Sequence, residues 1–208
     1  MDCDDRDPLV KRQSNRISGW LSCSFAIGSG TILNLIAAGP ALADLVQWKT
    51  NGHYYEVVAA PKGITWIEAR LAAQAKGGYL ATLTSRPENQ FVWSLISGRP
   101  NFWTTAIHAG KTDAVGPWIG LLQVRHQIQE PAGGWGWVSG EPFSYSNWAP
   151  GKPNNLEEIE DYGQYLIVQG SNDQATWNDL PNDSLRLTKV QAKRPVAYIV
   201  EYDIKPKR

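Results

Sequence analysis

The sequence predicts an α+β domain in which two helices pack on short antiparallel sheets, with a long loop region between strands. Two observations lead to this prediction. Both helix signals lie early, between residues 65 and 97, whereas the apolar runs beyond residue 117 are short and separated by stretches rich in Gly, Pro and polar residues. The first and last apolar runs are free to pair, so we expect both ends of the domain on one side.

The first elements are a hairpin and a helix. Asn51-Gly52 separates two runs rich in aromatic and branched residues, which is typical of a tight hairpin turn. Thr65 and Glu68 have the spacing of a capping box, and Gly77-Gly78 is a typical helix stop. We therefore expect a helix that begins near Trp66 and packs on a sheet through a flat face of alanines.

A strand, a second helix and a loop follow. Residues 79–83 read as a short strand, and residues 85–88 form a second capping box with Pro in the first turn. The helix should run over roughly 86–97. Residues 97–117 show no clear period, which predicts a long surface loop. The apolar residues of the second helix that should be buried are Phe91, Val92, Leu95 and Ile96.

The rest of the chain predicts short strands. Trp135 and Trp137 alternate along one of them, which indicates core positions rather than a binding face. In the loop before these strands, Phe102 and Trp103 should pin the chain to the domain body; stacking on a ligand ring is the alternative for Trp103. The strand segments are 118–122, 135–138, 145–148, 165–168, 175–179 and 197–202.

Residues 1–43 are expected to be a signal peptide, which leaves 44–208 as the working domain. Residues 17–43 carry no charge, follow Lys11, Arg12 and Arg16, and end in Ala41-Leu42-Ala43. An uncleaved membrane anchor is the alternative, since the stretch is long enough to span a bilayer. Cleavage predicts a secreted, periplasmic or cell-surface protein without a membrane segment, and without cysteine, since the 2 Cys lie at positions 3 and 23.

Composition excludes several classes of function. With 20 basic and 20 acidic residues the net charge is zero, so no basic surface is indicated and nucleic acid is not an expected partner. The working domain has no Cys nucleophile, no Gly-rich phosphate loop and no Ser-centred elbow. We therefore expect a binding protein rather than an enzyme.

Several motifs in one order carry a family resemblance over residues 46–203. The motifs are Trp118-Ile119-Gly120-Leu121, Trp137-Val138-Ser139-Gly140, Asn147-Trp148, Pro150-Gly151-Lys152-Pro153-Asn154-Asn155, Glu160-Asp161, Trp177-Asn178-Asp179 and Tyr198-Ile199-Val200-Glu201. Together they resemble the C-type lectin-like domain, and the absence of the family's usual cysteines, replaced at two positions by Tyr162 and Val200, suggests an exported, disulfide-free, bacterial-type member.

The resemblance implies a calcium site that binds sugar hydroxyls directly. Calcium prefers carboxylate and amide oxygens. Two further residues support the site: Pro153 should set the loop through a cis bond, and Trp177 should be a buried wall. The Asn of Lys152-Pro153-Asn154 favours mannose-type hydroxyl pairs. The implied metal and sugar ligands are Asn154, Glu160, Asn178 and Asp179.

Lys152 departs from the family pattern. Sugar-binding relatives have Glu or Gln at this position, whereas an ammonium group only donates hydrogen bonds and cannot ligate a metal. Two outcomes are open. Either Lys152 swings toward solvent, drawn by Glu157 and Glu158, and leaves a weakened calcium site, or its ammonium group replaces the ion.

A second metal and a second function are also open. Asn155 and Asp161 match positions that hold an accessory calcium in some relatives. The expected partner is a carbohydrate or glycoconjugate. The alternative is a metal-independent module that binds a protein or serves a structural role at a surface.

Overall fold

Two helices and ten short strands make up the described part of the chain. A computed structural model describes residues 44–124 and 129–207, so the leader prediction over 1–43 lies outside the described residues. The helices are α1 (Trp66–Ala75) and α2 (Arg86–Ile96). The strands are β1 (Leu45–Gln47), β2 (Tyr54–Ala59), β3 (Tyr79–Leu80), β4 (Thr104–His108), β5 (Lys111–Gln123), β6 (Trp135–Trp137), β7 (Tyr162–Ile167), β8 (Thr176–Leu180), β9 (Gln191–Ala192) and β10 (Ala197–Tyr202).

The strands join in one branched sheet with the ends of the domain side by side. The main path runs β1-β2-β10-β5-β4-β9, and β7 pairs with both β5 and β8. β2 and β10 are antiparallel from Tyr54 opposite Tyr202 to Ala59 opposite Ala197. The last strand therefore pairs with the second strand, and not with the first strand as predicted, because β2 lies between β1 and β10. The sheet is otherwise antiparallel except where β10 meets β5, at Tyr198 and Trp118.

Both helices begin where the sequence predicts, but only one capping box is complete. Thr65 accepts a hydrogen bond from the Glu68 backbone N–H, and the Glu68 carboxylate accepts one from the Thr65 backbone N–H. Ser85 caps α2 in the same way, yet Glu88 does not return to Ser85. Its carboxylate instead accepts bonds from the Thr84 backbone N–H and hydroxyl. Val92 and Ile96 are buried, whereas Phe91 and Leu95 are only half-buried.

The predicted surface loop over 97–117 is wrong. A short 3-10 helix (Pro100–Phe102) leads into a hairpin of β4 and β5. In this hairpin Thr104 lies opposite Val115, and His108 lies opposite Lys111. The turn residues Ala109 and Gly110 have φ values of 48° and 76°, as type I′ turns require. Ala is rarely found there, so the turn lacked a recognisable signal. Phe102 and Trp103 pin this segment to the body as expected, because Phe102 is buried and the Trp103 indole donates to the Ile96 carbonyl at 3.1 Å.

The later strands agree with the predicted segments with two exceptions. Residues 145–148 form no strand, and only Trp148 makes an isolated bridge, to Trp177. The predicted strand over 79–83 pairs only at Tyr79 and Leu80, although residues 81–83 are buried. β9 has no counterpart among the predicted elements.

Two apolar clusters fill the core, each with tryptophans that are also hydrogen-bonded. The Trp66 indole donates to the Ile119 carbonyl at 2.8 Å, and the Trp118 indole donates to the Ile64 carbonyl at 2.9 Å. A Cβ at Gly120 would collide with the Leu80 carbonyl, which explains the glycine in this motif. Trp135 and Trp137 are buried, as predicted. Over the described residues, no helix has the length and apolar character needed to cross a bilayer.

Candidate functional site

The predicted site residues come from one loop and one strand. Asn178 and Asp179 lie in β8, every residue of which is buried. The loop after Ala149 supplies the other members, and its Lys152–Pro153 peptide bond is cis, as expected. Trp177, next to Asn178, is fully buried, and its indole donates to the Asn89 side chain at 3.0 Å. The strand that carries Asn178 and Asp179 is therefore fixed by the core.

Asp179 ties the loop to β8. Its carboxylate is fully buried and accepts hydrogen bonds from the backbone N–H of Asn154 at 2.9 Å and of Asn155 at 2.7 Å. Burial raises the pKa of Asp179, while the bond from Asn155 and the charge of Lys152 act in the opposite direction. The carboxylate holds the loop backbone in place.

Glu160 is the second buried carboxylate. It is 1% exposed and accepts a hydrogen bond from the Leu156 backbone N–H at 2.7 Å. Burial, followed by repulsion from Asp179, raises the pKa of Glu160 to about 8. The two carboxylates are thus close enough to repel each other when both are charged.

Asn178 carries an amide oxygen without a partner. Its Nδ2 donates to the Asp179 carbonyl at 2.5 Å. Its Oδ1 is buried and has no hydrogen-bond partner within residues 44–124 and 129–207. A buried acceptor of this kind costs about 1–3 kcal/mol when it is left unpaired. It is the site atom that most needs a cation or a donor.

Lys152 forms a hydrogen bond with Asn154, the remaining predicted metal ligand. Its ammonium group donates to Asn154 Oδ1 at 2.7 Å. Asn154 is exposed and Lys152 is half-buried, so this bond lies at the surface of the site. Of the two outcomes left open for Lys152, this bond keeps the ammonium group beside a predicted metal ligand. Glu157, one of the two carboxylates expected to attract Lys152, accepts from the backbone N–H groups of Thr188 and Lys189, at 2.9 and 2.7 Å.

Asn155 and Asp161, which were predicted to hold an accessory metal, form hydrogen bonds with different parts of the domain. Asn155 Oδ1 accepts from the Glu160 backbone N–H at 3.1 Å, and its Nδ2 donates to the Glu130 carboxylate at 3.0 Å. The half-buried Asp161 follows directly, and its backbone joins β5 and β8 through Gln123 and Leu180. An accessory calcium at Asn155 and Asp161 stays a prediction. Sequence reasoning missed Glu130, because nothing in the sequence indicates a contact across 25 residues.

The donor set fits a hard cation. Among the described residues, no group of three or more His, Cys, Asp and Glu side chains could hold a metal. The site here has a different composition, two carboxylates and two amides, and these are oxygen ligands that calcium accepts. A bound cation would pair the Asn178 oxygen, which has no partner among the described residues, and would oppose the rise in the pKa of Glu160.

The fold and the sequence both match known proteins. The perlucin-like protein of Mytilus galloprovincialis is 30% identical over 135 residues, which cover 64% of this chain and 70% of that protein. The low affinity immunoglobulin epsilon Fc receptor of Mus musculus is 32% identical over 174 residues, which cover 83% of this chain and only 41% of the receptor. These names are those of lectin-like proteins and receptors, in line with a chain that is not an enzyme. Both relatives are from animals, and the bacterial origin stays a prediction.

Solved structures show the same fold. The cow carbohydrate-recognition domain of CD23, solved in the presence of GlcNAc2Man3 oligosaccharide, matches with a TM-score of 0.51 at 20% identity and covers 79% of this chain and 95% of that one. Human lithostathine matches with a TM-score of 0.52 at 19% identity and covers 76% and 95%. The α+β architecture is therefore the C-type lectin fold.

The family model described as the lectin C-type domain matches residues 62–188. This match spans α1, α2 and the strands from β3 to β8, and it contains all four predicted metal ligands. More than half of the chain is covered. The chain therefore belongs to the C-type lectin domain family.

Proposed function

We propose that this domain binds carbohydrate through a calcium ion held by Asn154, Glu160, Asn178 and Asp179. The observation that carries the proposal is the buried Asn178 Oδ1, which has no partner in the described part of the chain and lies in a strand beside Asp179. A calcium ion would pair this oxygen and would also offset the repulsion between Glu160 and Asp179.

The chemistry at the ion suits neutral sugars. Calcium takes six to eight oxygen ligands, and the four side chains leave positions for two neighbouring hydroxyl groups. A neutral sugar agrees with a chain whose net charge is zero. The Lys152-Pro153-Asn154 sequence favours mannose-type hydroxyl pairs, and the leader supports export to the periplasm, the cell surface or the medium.

One contact favours a second function. Because Lys152 donates to Asn154 Oδ1 at 2.7 Å, the loop can be held without a metal. A chain in which this bond persists would be a metal-independent module for protein interaction or surface structure. The two functions differ in a single measurable property, the dependence of ligand binding on calcium.

The test is the binding of mannose-type glycans in calcium and in excess chelator, with Glu160→Gln as the variant. Gln matches the shape of protonated Glu160 and still accepts from the Leu156 backbone N–H, so the fold should be kept. We expect the variant to lose calcium-dependent binding. The control is Glu158→Gln, two residues away and exposed, which should bind as the unchanged chain does. Equal binding with and without calcium would favour the metal-independent module.

A further inference from the structure

A largely apolar cavity of about 290 Å³ adjoins the candidate site. Lys152, Asn154, Glu160 and Asn178 contribute to its lining, so the cavity is continuous with the predicted ligand set. Most of the remaining lining is aliphatic. The aliphatic residues that matter here are Val115, Leu166, Val168, Leu180, Leu187 and Val190.

The strands supply this wall through their two-residue period. Each strand places alternate side chains on one face. Leu166 and Val168 follow this rule at the end of β7, and Asn178 and Leu180 follow it in β8. In β4, Ala106 faces the cavity. The hairpin of β4 and β5, which the sequence did not predict, therefore closes one side of the cavity.

Asn178 joins the polar and apolar parts of this lining. It is 4% exposed, it lines the cavity, and its Oδ1 has no partner among the described residues. Within the same strand Leu180 is also buried and lines the cavity. A ligand that satisfies this lining needs hydroxyl groups for the loop side and an apolar group for the strand side. Cavities that are mostly apolar with a few polar groups are typical of small-molecule sites.

We propose that the cavity takes the apolar aglycone of a glycoside, such as a short alkyl chain, while the sugar lies at the calcium site. The sugar end of this inference rests on the proposed function. His108 and Asp113 also line the cavity, from the hairpin near its turn, where His108 is exposed to solvent. These two polar residues mark the end of the cavity at which the alkyl chain would meet solvent. A free monosaccharide, by contrast, would leave the aliphatic wall of the cavity uncovered.

The test compares methyl mannoside with hexyl mannoside by calorimetry and by NMR of the Leu and Val methyl groups, in calcium, on the full chain. Each buried methylene favours binding, so hexyl mannoside should bind at least about tenfold more tightly than methyl mannoside. It should also shift the methyl signals of Leu166, Val168 and Val190. Equal affinities, or unshifted signals, would overturn the inference.

A matched pair of variants locates the effect. Ala106→Phe fills the cavity and should remove the preference for hexyl mannoside while leaving methyl mannoside unchanged. Ile107→Phe is the control, because Ile107 is the next residue in β4, does not line the cavity and is 42% exposed. Ala192→Phe, from β9, repeats the test if Ala106→Phe does not fold. A preference that survives both cavity-filling changes would contradict the inference.

Failure of the two proposals is distinguishable. If methyl mannoside does not bind in calcium but hexyl mannoside still shifts the cavity methyl groups, the sugar site is wrong and the cavity assignment stands. If methyl mannoside binds but the added chain has no effect, the sugar site stands and the cavity assignment is wrong.

Discussion

At the scale of single residues, the site depends on two carboxylates that the fold buries close together. Burial raises the pKa of Glu160 to about 8 and raises that of Asp179. A carboxyl group whose pKa is higher in the folded chain than in the unfolded chain stabilises the fold at low pH, and this stabilisation is lost as pH rises toward the folded pKa. The metal-free domain should therefore weaken between pH 5 and pH 8.

Glu160→Gln tests this pH dependence. Gln matches the protonated form of Glu160 at every pH, so the variant and the unchanged chain should melt at similar temperatures at pH 5 in chelator. At pH 8 the variant should melt several degrees higher, since about 1 kcal/mol corresponds to 2–4 °C for a domain of this size. The pKa of Glu201 is raised to about 7 and contributes to the fall in both proteins, so only their difference reports on Glu160. If the melting temperatures of the two proteins fell in parallel from pH 5 to pH 8, the raised pKa of Glu160 would be contradicted.

Lys152→Glu tests the competition for the site. The ammonium group contacts Asn154 Oδ1, and a unit charge about 4 Å from another contributes roughly 4 kcal/mol at an effective dielectric constant of 20. Replacing it with a carboxylate should lower the calcium dissociation constant at least about tenfold. Calorimetric titration measures this constant, and Lys111→Glu, an exposed change of equal charge, is the control. An unchanged constant would show that Lys152 does not compete with the ion.

The sequence was informative about residue types and less so about partners. The loop does lie next to β8, because the Asn154 and Asn155 backbone N–H groups donate to Asp179, whereas the joint role of the four residues as ligands stays a prediction. The partner of Lys152 was not predictable, because a four-carbon side chain can reach several acceptors with similar energies. The contact between Asn155 and Glu130 depends on how two distant loops pack, which no local pattern encodes.

At the scale of elements, two helix starts with similar sequences have different energetics. Glu68 is exposed and bonds only within its capping box, whereas Glu88 is 3% exposed and also accepts from the Tyr55 hydroxyl at 2.7 Å. Glu68→Gln should lower the free energy of unfolding only slightly, because this side chain is exposed. Glu88→Gln should cost about 2 kcal/mol or more, because a buried acceptor of several bonds is altered. Equal losses in chemical denaturation would contradict this difference.

The turn between β4 and β5 offers a stabilising change. Ala109 has a φ of 48°, a left-handed value that Asn adopts at lower cost than Ala. Ala109→Asn should raise the free energy of unfolding by about 0.5–1 kcal/mol. Gly110→Ala, at a φ of 76°, should lower it. A loss of stability in Ala109→Asn would mean that the turn is not of this type.

The same turn shows why elements were predicted unevenly. The first hairpin forms as expected, with Asn51-Gly52 in its connection, although six residues rather than a tight two-residue turn join β1 and β2. The second hairpin turns through Ala109-Gly110 and was interpreted as a loop. Residues 145–148 have the composition of a strand but pair only at Trp148, in an isolated bridge to Trp177. Whether a segment forms a paired strand therefore depended on the residues of its turn and on its pairing partners, and not on its apolar content alone.

At the scale of the whole molecule, residues 44–207 hold together without cysteine. Both Cys lie at positions 3 and 23, outside the described residues, and the core is filled by aromatic and aliphatic side chains from both ends of the domain. We expect thermal unfolding to be unaffected by a reducing agent. A large shift of the melting temperature on reduction would mean that Cys3 or Cys23 takes part in the stability of the chain.

Backbone bonds from Ala149 to Trp177 and from Asp161 to Leu180 hold the two ends of the loop of Lys152 to Glu160 on β8. Under the proposed function, this arrangement would place three buried side chains, Glu160, Asn178 and Asp179, and the exposed Asn154 around a calcium ion. That calcium binds there is the central claim.

The most direct test is the melting temperature of the purified chain in millimolar calcium and in excess chelator. A ligand present at 100 times its dissociation constant adds about 2.7 kcal/mol of stability, which corresponds to roughly 5–10 °C here. The account predicts such a rise in the unchanged chain and its loss in Glu160→Gln. Identical melting temperatures with calcium and with chelator would contradict the claim and would identify Lys152 as the cation of the site.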